Sequence, residues 1–214
     1  MLSEPVDPDD FVVVAAPPFT HHEETIAALE SGRHVLCEKP LAPTLDETKA
    51  MLATAREHDR LLGSCNCRHY RTPGTERVQE LIADGEICEP YHVTWITRRQ
   101  RGRPGIEYQP ESKWFLDRSK AGGGIVMDWG PYEFATLEDL LDPASVDVKH
   151  AWTAQPETDV DPGDVPFDVE THGGATLVYR NDERDVQVTY ERASGTHGSE
   201  RNVTEIEGTK GAIR

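Results

Sequence analysis

Across residues 1–70 short apolar runs alternate with stretches of helical period. Phe11-Val12-Val13-Val14-Ala15-Ala16 is a continuous apolar run closed by Pro17-Pro18. Such a run reads as a strand buried on both faces. Thr20-x-x-Glu23 has the form of a capping box, predicting a helix that ends near Ser31 with Gly32 just beyond. Val35-Leu36-Cys37 follows as a second short strand. Thr44-x-x-Glu47 repeats the capping box, and Leu45, Thr48, Leu52 and Ala55 behind it share one helical face. Leu61 to Cys65 supplies a third strand, so the order is strand–helix–strand–helix–strand, the pattern of a parallel α/β unit.

Beyond residue 70 the rhythm changes. Thr72-Pro73 reads as an N-cap with a first-turn proline, and Val78, Leu81 and Ile82 give an amphipathic helix closed by Gly85. Tyr91, Val93 and Trp95 alternate with His92 and Thr94, predicting a half-exposed strand. Residues 98–112 read as an Arg- and Pro-rich loop, and Gly122-Gly123-Gly124 leads into a helix running to about Leu141. Alternating segments near 146–153, 171–179, 186–192 and 202–207 predict a second, mostly antiparallel sheet. The fold class is therefore α/β: a partial Rossmann-type parallel sheet in residues 1–70, then an α/β domain with a mostly antiparallel sheet in 71–214. No βαβ unit precedes the first strand, and Gly208 to Arg214 reads as a hairpin turn entering a strand with no visible partner. Since buried backbone groups need partners, the chain is expected to be cut at both ends.

Charge narrows the partners. The chain has 22 basic and 39 acidic residues, a net of −17. Phosphate backbones and anionic membranes call for Lys and Arg, so neither is expected as a partner. The acids are dispersed from Glu4 to Glu207, and Arg outnumbers Lys, which suits a surface kept soluble in concentrated salt. No run of ~18 apolar residues occurs, and a cytoplasmic location is expected. Cys37, Cys65, Cys67 and Cys88 lack the paired spacing of a zinc site and read as reduced thiols, so no metal is expected.

Two motifs carry candidate chemistry. Glu38-Lys39-Pro40 follows the second strand at its carboxyl end, where open parallel sheets bind ligands. Taken alone it also reads as a charged turn. In Gly122-Gly123-Gly124-x-x-x-Asp128-x-Gly130-x-Tyr132 the glycines permit close backbone approach, and Asp128 and Tyr132 share a helical face. A carboxylate and a phenol together position and deprotonate an alcohol; a capped helix with a buried tyrosine is the simpler reading. The ammonium of Lys39, within ~4–6 Å, is expected to pull the Tyr132 pKa down from near ~10. Arg98, Arg99, Arg101 and Arg103 read as a solvated loop, with an anion clamp as the alternative, and Trp114 as either a pocket wall or core.

Ala15 to His21, Arg33 to Leu41, Gly122 to Tyr132 and Glu207 to Gly211 together resemble, in order and spacing, the glucose–fructose oxidoreductase / inositol dehydrogenase (Gfo/Idh/MocA) family. The resemblance runs over nearly the whole chain. It implies a Rossmann domain followed by a sheet-bearing α/β domain, NAD or NADP as cofactor, a sugar or polyol substrate, and a homo-oligomer at full length. By the same resemblance Lys39, Asp128 and Tyr132 are catalytic. Pro17, Pro18, His21, Glu38 and Lys39 lie at the cofactor. Tyr132 stands where many members carry histidine, which favours an aldose as substrate. The fingerprint G-x-G-x-x-G does not occur in the sequence, so the fragment alone is expected to bind cofactor poorly and to be inactive. A non-catalytic sensor of the same fold, or a lyase or hydrolase that cycles NAD, are the alternatives.

Overall fold

The computed structural model describes residues 4–159, 161–181 and 184–214. Three strands, β1 (Phe11–Val14), β2 (His34–Cys37) and β3 (Leu62–Ser64), form a parallel sheet in that order. They alternate with helices α1 (Pro18–Glu30) and α2 (Leu45–Glu57), which pack on each other and on one face of the sheet. Val14, Leu29, Val35, Cys37, Met51 and Ala55 form the core between them. The parallel α/β reading thus holds, with three corrections in detail.

The first strand is not buried on both faces. Phe11 and Val13 are 63% and 54% exposed, because the two helices cover one face and no described element covers the other. Helix α1 opens at Pro18, not behind a Thr20 box. Proline fits the first helical position because it has no N–H to leave unpaired, and the Thr20 hydroxyl donates to the Pro17 carbonyl instead. In α2 both halves of the Thr44–Glu47 box are present, but Leu45 and Leu52 face outward and Met51 and Ala55 face in. The helix therefore presents a narrower apolar stripe than the sequence suggests.

Helix α3 (Pro73–Ala83) begins at the Thr72 cap as expected. Strand β4 (Pro90–Arg98) enters a six-stranded sheet with β5 (Ser145–Ala154), β6 (His172–Arg180), β7 (Val186–Ala193), β8 (Arg201–Gly208) and β9 (Ala212–Ile213). The order is β5-β6-β7-β4-β8-β9, antiparallel except for the β4–β7 pair. The final strand does have a partner: Gly208 N–H donates to the Gly211 carbonyl, closing a hairpin that pairs β9 with β8. After a 3₁₀ turn (Lys113–Leu116) and the short α4 (Arg118–Ala121), α5 (Ile125–Leu141) lies on one face of this sheet. Leu137 and Leu141 pack there on Val93, Leu177, Tyr179, Val188 and Tyr190.

The glycine triplet is where the two halves meet. Gly122 has φ 78°, and a β-carbon on it would come within 2.5 Å of the Pro43 carbonyl. A β-carbon on Gly124 would overlap the Glu170 carbonyl, which accepts a hydrogen bond from Ile125 N–H. Two of the three glycines are therefore required by backbone close to backbone.

Candidate active site

Lys39 stands just past the carboxyl end of β2, joined to Pro40 by a cis peptide. Asp128 and Tyr132 sit one turn apart on α5. Lys39 Nζ donates to the Asp128 main-chain carbonyl at 2.8 Å and pairs with Asp128 Oδ1 at 2.5 Å. The same ammonium lies 4.8 Å from the centre of the Tyr132 ring. Residues 89 positions apart are thus brought into one cluster. No group among the described residues hydrogen-bonds the Tyr132 hydroxyl.

Lys39 and Asp128 line a cavity of about 330 Å³ with Ala16, Pro18, Glu38 and Trp114. Trp114 stacks on Phe115 with ring centres 3.8 Å apart, and both rings wall this cavity. Glu38 Oε2 accepts from the Lys39 N–H. Pro17 caps α1 behind the cavity. His21 does not reach the cavity surface: it is fully buried, its ring nitrogens 2.9 Å from the Pro40 carbonyl and 2.7 Å from that of Ala16. It ties the loop after β1 to the loop after β2.

The expected pull of Lys39 on Tyr132 is present, but it does not set the net direction. Burial pushes the Tyr132 phenol above its ordinary value; the Lys39 charge pulls it down, while Glu38 and Asp128 push it up again. Lys39 does pull the phenol down, but burial is the larger effect and outweighs it. Two further readings change. Arg103 is not solvated: it is buried and paired with Glu107, Nε lying 3.1 and 3.0 Å from the two carboxylate oxygens. Arg98 belongs to β4 and faces Glu191. Burial pushes the Cys37 thiol up to about 11, in keeping with a small apolar core residue. Among the described residues no group of His, Cys, Asp and Glu is arranged to hold a metal ion.

The sequence reading missed a second cluster next to Tyr132. Glu133 is 1% exposed and accepts hydrogen bonds from Trp95 Nε1 (3.2 Å), Tyr190 OH (2.7 Å) and Arg192 Nη1 (2.7 Å). Burial pushes the Glu133 carboxyl up, and the charge of Arg192 with the three donors pulls it back. The guanidiniums of Arg192 and Arg68 both lie against Trp129, at 4.2 and 4.6 Å from the ring centre. The i, i+4 spacing of Trp129 and Glu133 hinted at a shared face, but their partners come from β4, β7 and the segment after β3.

Residues 1–64 match the family described as an oxidoreductase family with an NAD-binding Rossmann fold. Residues 75–214 match the Gfo/Idh/MocA C-terminal domain. The chain belongs to the Gfo/Idh/MocA oxidoreductase family. Among curated members it is 36% identical over 155 residues to the 1,5-anhydro-D-fructose reductase of Ensifer adhaerens, covering 68% of this chain and 43% of the relative. It is 33% identical over 144 residues to the NADP-dependent D-xylose 1-dehydrogenase of Haloarcula marismortui, covering 67% of this chain and 39% of the relative. A solved levoglucosan dehydrogenase in complex with NADH and levoglucosan superposes with a TM-score of 0.78 at 28% identity, covering 97% of this chain and 54% of that one. The chain thus spans about half, or less, of the length of these relatives.

Proposed function

We propose that the protein is an NAD- or NADP-dependent oxidoreductase acting on a hydroxyl of a sugar or polyol, with an aldose favoured. The observation that carries this reading is the meeting of Lys39, Asp128 and the free Tyr132 hydroxyl at the carboxyl end of β2, in and beside one cavity. The relatives support the class: reductases and dehydrogenases of sugars, one of them a xylose dehydrogenase.

The residues present fit the nicotinamide end of such a cofactor. The cavity opens at the carboxyl ends of β1 and β2, where parallel sheets bind nucleotides, and the stacked Trp114–Phe115 wall suits a planar ring. Pro18, Glu38 and Lys39 would hold it, with Pro17 and His21 fixing the loops that carry them. When bound, the cofactor supplies the hydride acceptor. Asp128 and Lys39 orient the substrate hydroxyl, and Tyr132 takes its proton. Because burial raises the Tyr132 pKa, that step is favoured at alkaline pH.

The proposed division between nucleotide and substrate domains lies near residue 70, and the stretch between the end of β3 at Ser64 and the start of α3 at Pro73 supports it. No helix among the described residues is long and apolar enough to cross a membrane, and a homo-oligomer in the cytoplasm is the proposed setting. The charge of −17 supports a salt-loving source.

The test is turnover of the full-length protein with NAD and NADP over a panel of aldoses and polyols. Tyr132→Phe is expected to lower kcat by ~10²–10⁴-fold. Failure to reduce either nucleotide with any sugar or polyol would overturn the reading. Near-native turnover by Tyr132→Phe would instead pass the proton to Lys39.

A further inference from the structure

Tyr132 lines neither of two cavities but has a neighbour in each. Lys39, 4.8 Å from its ring centre, lines the smaller one already described. Arg68, with Cζ 5.8 Å from the same centre, lines a larger one of about 700 Å³ between α3, α5 and the covered face of the six-stranded sheet. The lining of this larger cavity is at odds with the rest of the molecule. In a chain with 39 acidic and 22 basic residues, its lining has the side chains of Arg68, Arg77, Arg99, Arg192 and Arg214 but only one acidic side chain, Glu133.

The charges in it are unevenly answered. Arg192 is taken by Glu133 and Arg77 by Glu80. Arg68 and Arg99 have no carboxylate partner among the described residues. Arg68 and Arg192 nevertheless share the Trp129 ring, and the charge of Arg99 bears on Arg192. Like charges held together in a partly enclosed space repel unless an anion joins them. His69, in the same lining, registers the field: burial, then the charges of Arg68 and Arg192, hold its imidazole below the ordinary value.

We propose that this cavity is an anion subsite, taking the carboxylate or phosphate group of a sugar acid or sugar phosphate whose hydroxyl reaches Tyr132. The planar guanidiniums of Arg68 and Arg99 grip the anion, since arginine matches both groups with paired hydrogen bonds. Trp129 holds Arg68 in place from the side. The anion subsite stands on this lining alone, while the statement that a hydroxyl is delivered to Tyr132 rests on the oxidoreductase reading.

The experiment is equilibrium titration of the protein, followed by calorimetry at low ionic strength, with D-glucose, D-gluconate, D-glucose 6-phosphate and inorganic phosphate. At least one charged sugar is expected to bind tenfold or more tightly than glucose, and added salt to erode the advantage. Tighter binding of the 6-phosphate assigns the phosphate, and tighter binding of gluconate the carboxylate. The double variant Arg68→Gln, Arg99→Gln is expected to abolish the advantage while leaving the weak affinity for glucose in place. Both residues are exposed, so the fold is expected to survive, and Arg68→Lys serves as a second variant that keeps the charge but loses the planar fork. Equal binding of glucose and both charged sugars, or an advantage that persists in the double variant, overturns the proposal. A turnover assay of the full-length protein separates the two readings. Charged sugars that bind through Arg68 and Arg99 but are never oxidised refute the oxidoreductase reading alone. Oxidation of neutral sugars with no charge preference refutes the subsite alone.

Discussion

At the scale of single residues, Tyr132 is a phenol whose surroundings oppose its use as a base. Burial raises its pKa, Lys39 lowers it, and Glu38 raises it. The signs give a paired prediction. Lys39→Met removes the charge that favours the phenolate, so the alkaline limb of the kcat–pH profile of the full-length protein moves to higher pH. Glu38→Gln removes a charge that disfavours it, so the limb moves to lower pH. A Lys39→Met profile with an unchanged midpoint would take Tyr132 out of the proton transfer. Glu133 is the second residue that decides something. It answers the buried Arg192, and Glu133→Ala leaves that guanidinium without a carboxylate in a place where burial already penalises its charge. A loss of ~3–5 kcal/mol is expected, read from the urea unfolding midpoint.

At the scale of elements, the site is a meeting of two turns. The loop after β2 presents Lys39, and the first two turns of α5 present Asp128 and Tyr132. What holds them in register is backbone against backbone: Gly122 on Pro43 and Gly124 on Glu170. Gly124→Ala is expected to cost roughly 1–3 kcal/mol through overpacking and to lower kcat by displacing Asp128 one turn on. Thermal unfolding and turnover measured on the same preparation check both parts.

At the scale of the whole molecule, charge dominates. A net of −17 on a 214-residue chain makes the folded state repel itself, and salt screens that repulsion. The Tm is therefore expected to rise between dilute buffer and molar KCl, followed by circular dichroism. An unchanged Tm would make the acidity an ordinary surface property. The arginine-lined cavity concentrates positive charge against this background, and at His69 the charges of Arg68 and Arg192 add to the burial that holds its imidazole below the ordinary value.

The sequence by itself determined the order of elements, because alternation, capping boxes and proline and glycine punctuation are local signals: the Thr44 box, the Thr72 cap and the end of α5 at Leu141 all stand as read. It also singled out Lys39, Asp128 and Tyr132 through two motifs. Three things were decided only in three dimensions. Which face of β1 is covered depends on where α1 and α2 lie, so Phe11 and Val13 could not be told from Val14 by hydrophobicity. The β9 partner depends on the closure of the Gly208–Gly211 turn. The direction of the Tyr132 shift, and the Arg68–Trp129–Arg192 cluster beside it, depend on burial and on charges from segments far apart in the chain. Coulomb and desolvation energies follow distance in space, which the packing of α5 on the sheet sets and residue order along the chain does not.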